Sequence, residues 1–306
     1  MPGMDGLARS RSVWDYSLLQ GRAMSLTVHT HTAGETGLLV NSYLLESPDG
    51  VLAVDTSLLV SDARAFKARL DALGKPLLGV FITHAHPDHF NGAVDLAGGD
   101  DVEVYATPSV AQTIREIADD KLAQWSPMFG DEWPATTYYP NSAIADGEAV
   151  TLGGVTVRAH ELGPGESHAD AHFTVTTSDG GAPLGFIGDV AFDGTHAYTA
   201  DGHTGAWLAN LERLTAQLQG AALLYPGHGQ PGQVELLAAQ RTYLLAYREA
   251  VRDLADGGSP LNDDALAEVV LIERPVGRRR PARAGRSGRH GLRTAADRRR
   301  RIRSRG

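Results

Sequence analysis

The chain has 306 residues, of which 42% are hydrophobic, enough to bury a core and to exclude disorder throughout. No stretch reaches the roughly 20 apolar residues that cross a bilayer, and residues 1–23 mix Arg9, Arg11, Asp15 and Arg22 with no apolar leader segment, so a cytoplasmic protein that does not enter the membrane is expected. The formal net charge of −9 divides into about +12 in residues 273–306, where 14 Arg face two acids, and about −21 in the rest, where 14 Lys and Arg face 35 acids; such a body repels nucleic acid.

Residues 1–23 read as an unstructured extension, with Met24 as an alternative start, because a strand-like pattern begins at Leu26. The β-rich runs 40–45 and 51–54 flank Ser47-Pro48-Asp49-Gly50, a turn sequence, and predict a β-hairpin. Ala65, Phe66, Leu70 and Leu73 recur at helical spacing over 62–73, with Ser61 placed to cap the helix and Gly74 to end it. The continuous apolar run 77–83 has strand length and predicts a buried strand. Further strands are expected at 102–106, 149–152, 155–162, 172–177, 184–187 and 222–225, and helices at 109–120, 204–217 and 234–255.

Residues 124–139, rich in Trp, Pro and Tyr, read as an irregular segment too long for a plain connection, one that shapes a pocket or lid. Its Trp125, Phe129, Trp133, Tyr138 and Tyr139 form either an apolar wall for a substrate or the underside of a packed loop. Two successive series of mixed strands and helices predict an α/β sandwich with helices outside. From Glu273-Arg274-Pro275 onward the composition turns to Arg, Gly, Ala, Pro and Ser, so 273–306 is expected to be a disordered tail, read as a frame-shifted or spurious extension, which leaves 24–272 as the folded domain.

The strongest chemical signal is Thr83-His84-Ala85-His86-Pro87-Asp88-His89, of the form H-x-H-x-D-H, placed where an apolar strand ends. The chain has no cysteine, so any metal must be held by His, Asp and Glu, a donor set that points to zinc, manganese or iron. Four such side chains in one tight turn can face one side of a strand end, and their nitrogens and oxygens match the short bonds zinc requires. One zinc needs fewer ligands than this, so two metals are implied. The Gly-x-Ser-x-Gly pattern is absent as well, which removes the obvious covalent nucleophiles.

Over residues 26 to about 270 the chain resembles the metallo-β-lactamase superfamily, in the branch of the glyoxalase-II-like thioesterases and lactonases. The resemblance implies a four-layer αββα sandwich and a binuclear zinc site. His84 and His86 would serve the first metal and Asp88 and His89 the second. Asp189, in Gly188-Asp189 after the strand at 184–187, would bridge the two, and His228, in Pro226-Gly227-His228-Gly229, would complete the second. Asp55 corresponds to an aspartate the family keeps close behind the ligands. The remaining first-site histidine usually lies in a segment like G-H-S/T-x-G-D, but this chain reads Gly165-Glu166-Ser167-His168-Ala169-Asp170. His168 is the expected ligand, because neutral imidazole is the softer and commoner partner of zinc; Glu166, which aligns with the slot, competes and would add a negative charge that lowers the metal's acidity toward water. His172 reads as a packed strand residue, and His160, His196 and His203 as pocket-lining at most.

The expected activity is hydrolysis of a small-molecule ester, lactone, thioester or amide by a metal-activated hydroxide, with Asp88 also holding or shuttling the proton. A phosphodiesterase or nuclease is disfavoured by the acidic body. Iron chemistry on a persulfide is disfavoured by the complete set Asp88, His89 and His228. A metal-binding protein without turnover is kept open by Glu166.

Overall fold

The structure, a computed structural model, describes residues 26–97 and 102–255; the extension at 1–23, the tail at 273–306 and both limits of the expected domain lie outside the described residues. In chain order the elements are β1 (Thr27–Thr32), β2 (Asn41–Glu46), β3 (Val51–Val54), α1 (Val60–Ala72), β4 (Leu77–Phe81), the short α2 (Pro87–Phe90) and α3 (Ala93–Ala97), β5 (Val104–Ala106), α4 (Pro108–Phe129), β6 (Ser142–Ala143), β7 (Ala149–Leu152), β8 (Val155–Gly163), β9 (Asp170–Thr177), β10 (Leu184–Gly188), α5 (Thr204–Gln217), β11 (Leu223–Pro226) and α6 (Glu235–Ala255).

The strands form two sheets, ordered β1-β2-β3-β4-β5-β6 and β11-β10-β9-β8-β7. In the first, β1, β2 and β3 run antiparallel and the later pairs parallel; in the second, only β10 and β11 are parallel. Successive side chains on a strand point to opposite faces, and both faces of the first sheet are covered at its centre, which is why β3, β4 and β5 read as apolar runs rather than alternating ones. Tyr43, Leu45, Leu52, Val54 and Phe81 face the second sheet and pack with Val155, Val157, Phe173 and Phe186. Their neighbours Leu44, Val51, Ala53, Val80 and Ile82 face away, against Phe66 and Leu70 of α1 and Val110 and Ile114 of α4. On the far side Ile187 and Leu224 of the second sheet pack with Trp207, Leu211 and Leu214 of α5 and Leu237 and Leu244 of α6. The result is the expected sandwich, helices on the outside of two facing sheets. Phe81 and Phe173 meet edge to face at 5.4 Å in its centre, and cutting either to alanine is a change that costs about 3–5 kcal/mol.

Two local expectations are corrected. Ser61 does not cap α1: the helix begins at Val60, Leu59 occupies the cap with no side-chain bond, and the Ser61 amide donates instead to Glu132 Oε2 at 3.0 Å, a partner 71 residues away. Residues 124–129 are not irregular, because α4 runs on to Phe129 with Pro127 two residues before its end, so the break that proline imposes falls where the helix stops. Among the described residues no helix is long and apolar enough to cross a membrane.

Candidate metal centre

The site lies at one end of both sheets. β4 delivers His84, whose backbone forms an isolated antiparallel bridge to Asp170, and the Ala171 amide donates to the Thr83 carbonyl at 2.8 Å, so the motif is stapled to the start of β9. His86 is the N-cap residue of α2 in extended conformation, Pro87 follows as the first helical residue, and Asp88 and His89 sit in that single turn. Thus a strand end and a one-turn helix turn four side chains inward. The parallel pair β10 and β11 ends with Gly188 opposite Pro226, and the Gly227 amide donates to the Gly188 carbonyl at 2.8 Å, which puts Asp189 and His228 side by side. A Cβ on Gly227 would collide with the Asp189 carboxylate and come within 2.6 Å of the His89 ring, so any other residue there would have to displace one of these two side chains.

Six of the seven predicted residues converge: His84, His86, Asp88, His89, Asp189 and His228 are buried together. Three overlapping groups of donor atoms can hold a metal ion, His84 with His86 and Glu166, Asp88 with His89 and His228, and His84 with His89 and Asp189. Asp189 lies between the two halves, its Oδ1 3.4 Å from His89 Nε2 and its Oδ2 3.4 Å from His228 Nε2 and 4.0 Å from His84 Nε2. Asp88 Oδ2 lies 3.2 Å from His228 Nε2 and 3.6 Å from His89 Nε2.

The seventh residue is displaced by its competitor. Glu166 Oε2 is 2.9 Å from His86 Nδ1 and 3.5 Å from His84 Nε2, and the side chain is 1% exposed. His168, expected as the ligand, is 52% exposed and faces outward, with Nδ1 2.7 Å from His203 Nε2. The cause is the buried Asp170, which accepts from the Glu166 and Ser167 amides at 2.6 and 3.0 Å and from the Ser167 hydroxyl at 2.5 Å. With two successive amides held, the loop cannot slide the two residues that would bring His168 in.

Each imidazole has one nitrogen fixed from behind. His89 Nδ1 donates to Asp55 Oδ2 at 2.8 Å, and His228 Nδ1 donates to the Leu38 carbonyl at 3.1 Å. His84 Nδ1 donates to the Thr83 hydroxyl at 3.0 Å, which in turn donates to Asp55. His86 Nε2 donates to Asp201 Oδ2 at 3.1 Å. The other nitrogen of each ring is thereby presented to the centre with its lone pair. His84 Nε2, His89 Nε2, both oxygens of Glu166 and Asp189 Oδ1 are fully buried yet have no directed hydrogen bond; the short Glu166 to His86 contact lies off the hydrogen-bond line. Orphaned polar atoms of this kind are rare in folded proteins, and divalent cations held by these overlapping groups would give them partners.

The electrostatics agree. Burial alone would suppress charge on His86, His89 and His228, but the surrounding carboxylates outweigh it and raise all three, His228 to about 10. Burial also opposes the charge of Asp88 and Asp189, yet His89 and His228 hold both below the usual carboxylate range. Burial raises Glu166 and takes Asp170 to about 6, while His84 is lowered by burial and by His89. Three carboxylates turned toward one another demand positive charge at the centre.

A cavity of about 330 Å³ opens beside this cluster, lined by His86, Asp88, Glu166, Asp189 and His228 on one side and by Trp125, Phe129, Trp133, Leu58 and Phe192 on the other. Of the aromatic residues expected there, Trp125, Phe129 and Trp133 do line it, whereas Tyr138 and Tyr139 pack against the core beneath the first sheet. His196 lines the cavity; His160 instead stacks on His172 inside the second sheet at 4.4 Å. Sequence reasoning missed Asp201 and Tyr198, which sit in the loop between β10 and α5; Tyr198 lines the cavity with its ring 5.2 Å from that of His86. No motif marks either residue.

Residues 36–228 match the Metallo-beta-lactamase superfamily. A metallo-beta-lactamase from Pontibacter korlensis aligns with a TM-score of 0.54 at 21% identity, covering 72% of this chain and 99% of that one. A metallo-beta-lactamase family protein from Thermus thermophilus aligns with a TM-score of 0.59 at 23% identity, covering 79% and 87%. An atrochrysone carboxyl ACP thioesterase from Paecilomyces divaricatus is 26% identical over 214 residues, 66% of this chain and 55% of the relative, so the chain spans about half the length of that protein. This chain belongs to the metallo-beta-lactamase superfamily.

Proposed function

We propose that the chain is a zinc-dependent hydrolase with two metal positions, acting on a small-molecule carboxylic ester, lactone, thioester or amide. The observation that carries the reading is the set of buried ring nitrogens and carboxylate oxygens that converge without hydrogen-bond partners. His84, His86 and Glu166 would hold one ion and Asp88, His89 and His228 the other, with Asp189 reaching both. Zinc suits this mixture of imidazole and carboxylate, and when bound it supplies an acidified water and a polarised carbonyl. Asp55 and Asp201 keep the rings of His89 and His86 in the ligating tautomer. Asp88 lines the cavity and takes the proton of the attacking water at its carboxylate. Trp125, Phe129 and Trp133 bind the apolar part of the substrate and exclude water from it.

Likeness to a thioesterase supports an acyl substrate, and the acidic body argues against nucleic acid. The test is elemental analysis of protein purified with metal supplementation, followed by a panel of chromogenic esters, lactones and thioesters. About two equivalents of metal and turnover that Asp189→Asn abolishes are expected. Protein that retains no stoichiometric transition metal overturns the reading.

A further inference from the structure

One charged side chain lining the cavity is left over once the centre is assigned. Asp88, Glu166 and Asp189 belong to the metal-binding group, and the remaining charged lining residue is Lys121. It makes no hydrogen bond or ion pair among the described residues, although its charge helps hold Asp201 below the usual carboxylate range. Lys121, Trp125 and Phe129 are spaced by four along α4, so one face of the helix presents an ammonium group followed by two aromatic rings. That face is rigid. The rings of Trp125 and Phe129 lie 6.3 Å apart and Phe129 stacks on Trp133 at 6.0 Å, all backed by Leu58, Leu59 and Leu122.

We infer that the cavity selects acyl substrates with an apolar, ring-containing body and a carboxylate remote from the scissile carbonyl, the carboxylate pairing with Lys121 and the body lying on Trp125 and Phe129. This rests on the hydrolase reading above and names its substrate class. A lone cation against an apolar wall is attracted to an anion more strongly than one in open water, because the wall lowers the local dielectric. In a body of about −21, most of the surface repels an anionic ligand, which makes a single lysine beside the reacting centre, without an ion pair among the described residues, the discriminating feature.

Two matched pairs of probes test the inference on the metal-loaded full chain. The first pair is the fluorescent anion 8-anilinonaphthalene-1-sulfonate and the neutral N-phenyl-1-naphthylamine, which share a ring body; a sulfonate is a poor metal ligand, so its binding reports on Lys121. Lys121→Gln should weaken the anion about tenfold and the neutral probe by less than about twofold, whereas Trp125→Ala should weaken both. The second pair is 4-acetoxybenzoate and phenyl acetate, for which Lys121→Gln should raise KM for the carboxylate ester alone and leave kcat intact. If Lys121→Gln leaves anion binding unchanged, or weakens both probes alike, the inference is overturned and the lysine serves only to balance Asp201. If neither these esters nor the panel of lactones and thioesters is turned over while the fluorescent pair still discriminates, the hydrolase reading fails and the anion site stands.

Discussion

Nε2 of His86 donates to Oδ2 of Asp201 at 3.1 Å, across 115 residues of chain. That bond leaves Nδ1 as the nitrogen facing Glu166, and it ties the first half of the metal centre to the loop carrying Tyr198.

Asp201→Ala leaves the His86 N–H unpaired and its ring free to turn, and should lower metal affinity or activity about 10- to 100-fold. Competition with a chelating dye measures the first. Asp201→Asn, which keeps an acceptor, should recover most of the loss, and equal effects from both substitutions would show that the bond does not orient the ring.

Glu166→Ala removes a donor from the His84 and His86 group and should cost one equivalent of metal, whereas His168→Ala, at a side chain 52% exposed, should cost none. Elemental analysis of the two variants decides between them. Loss of metal in His168→Ala alone would reverse the assignment.

Gly227→Ala drives a Cβ into the Asp189 carboxylate and against His89. Overpacking at this point should destabilise the fold by about 1–3 kcal/mol in denaturant titration and lower metal content as well. A variant of unchanged stability with full metal content would mean that the loop at 226–229 has room to yield.

His172 is buried in β9, and burial, with His160 and Arg213, lowers it well below its ordinary value of 6.5. The folded state therefore binds fewer protons than the unfolded chain once the pH falls below 6.5. Stability from this residue is complete above that value and is lost on acidification, at a slope approaching about 1.4 kcal/mol per pH unit. Thermal melts of His172→Phe against the parent should show a shallower decline between pH 6.5 and 5; parallel curves would refute the assignment of that slope to His172.

Much of the fold is legible because burial on both faces writes itself as composition. The run ending at Phe81 is apolar throughout, and β3 and β7 occur at the predicted residues. The end of α4 is hidden because Trp125, Pro127 and Phe129 resemble loop composition, while packing of Trp125 and Phe129 against Leu58 and Leu59 favours the helix. The cap of α1 was misread for a related reason, since Glu132 supplies from a distance what Ser61 offers locally.

The local spacing of His84, His86, Asp88 and His89, and the placement of Asp189 and His228 at strand ends, was determined by the sequence alone, because ligands one turn apart can be counted along the chain. Which atom faces the centre was decided only by tertiary structure. Glu166 turns inward because Asp170 grips its amide, and Asp55, Leu38 and Asp201 reach the histidines from other elements. The hydrogen bonds that select a tautomer join residues distant in sequence, and no periodicity along the chain records which of them will meet.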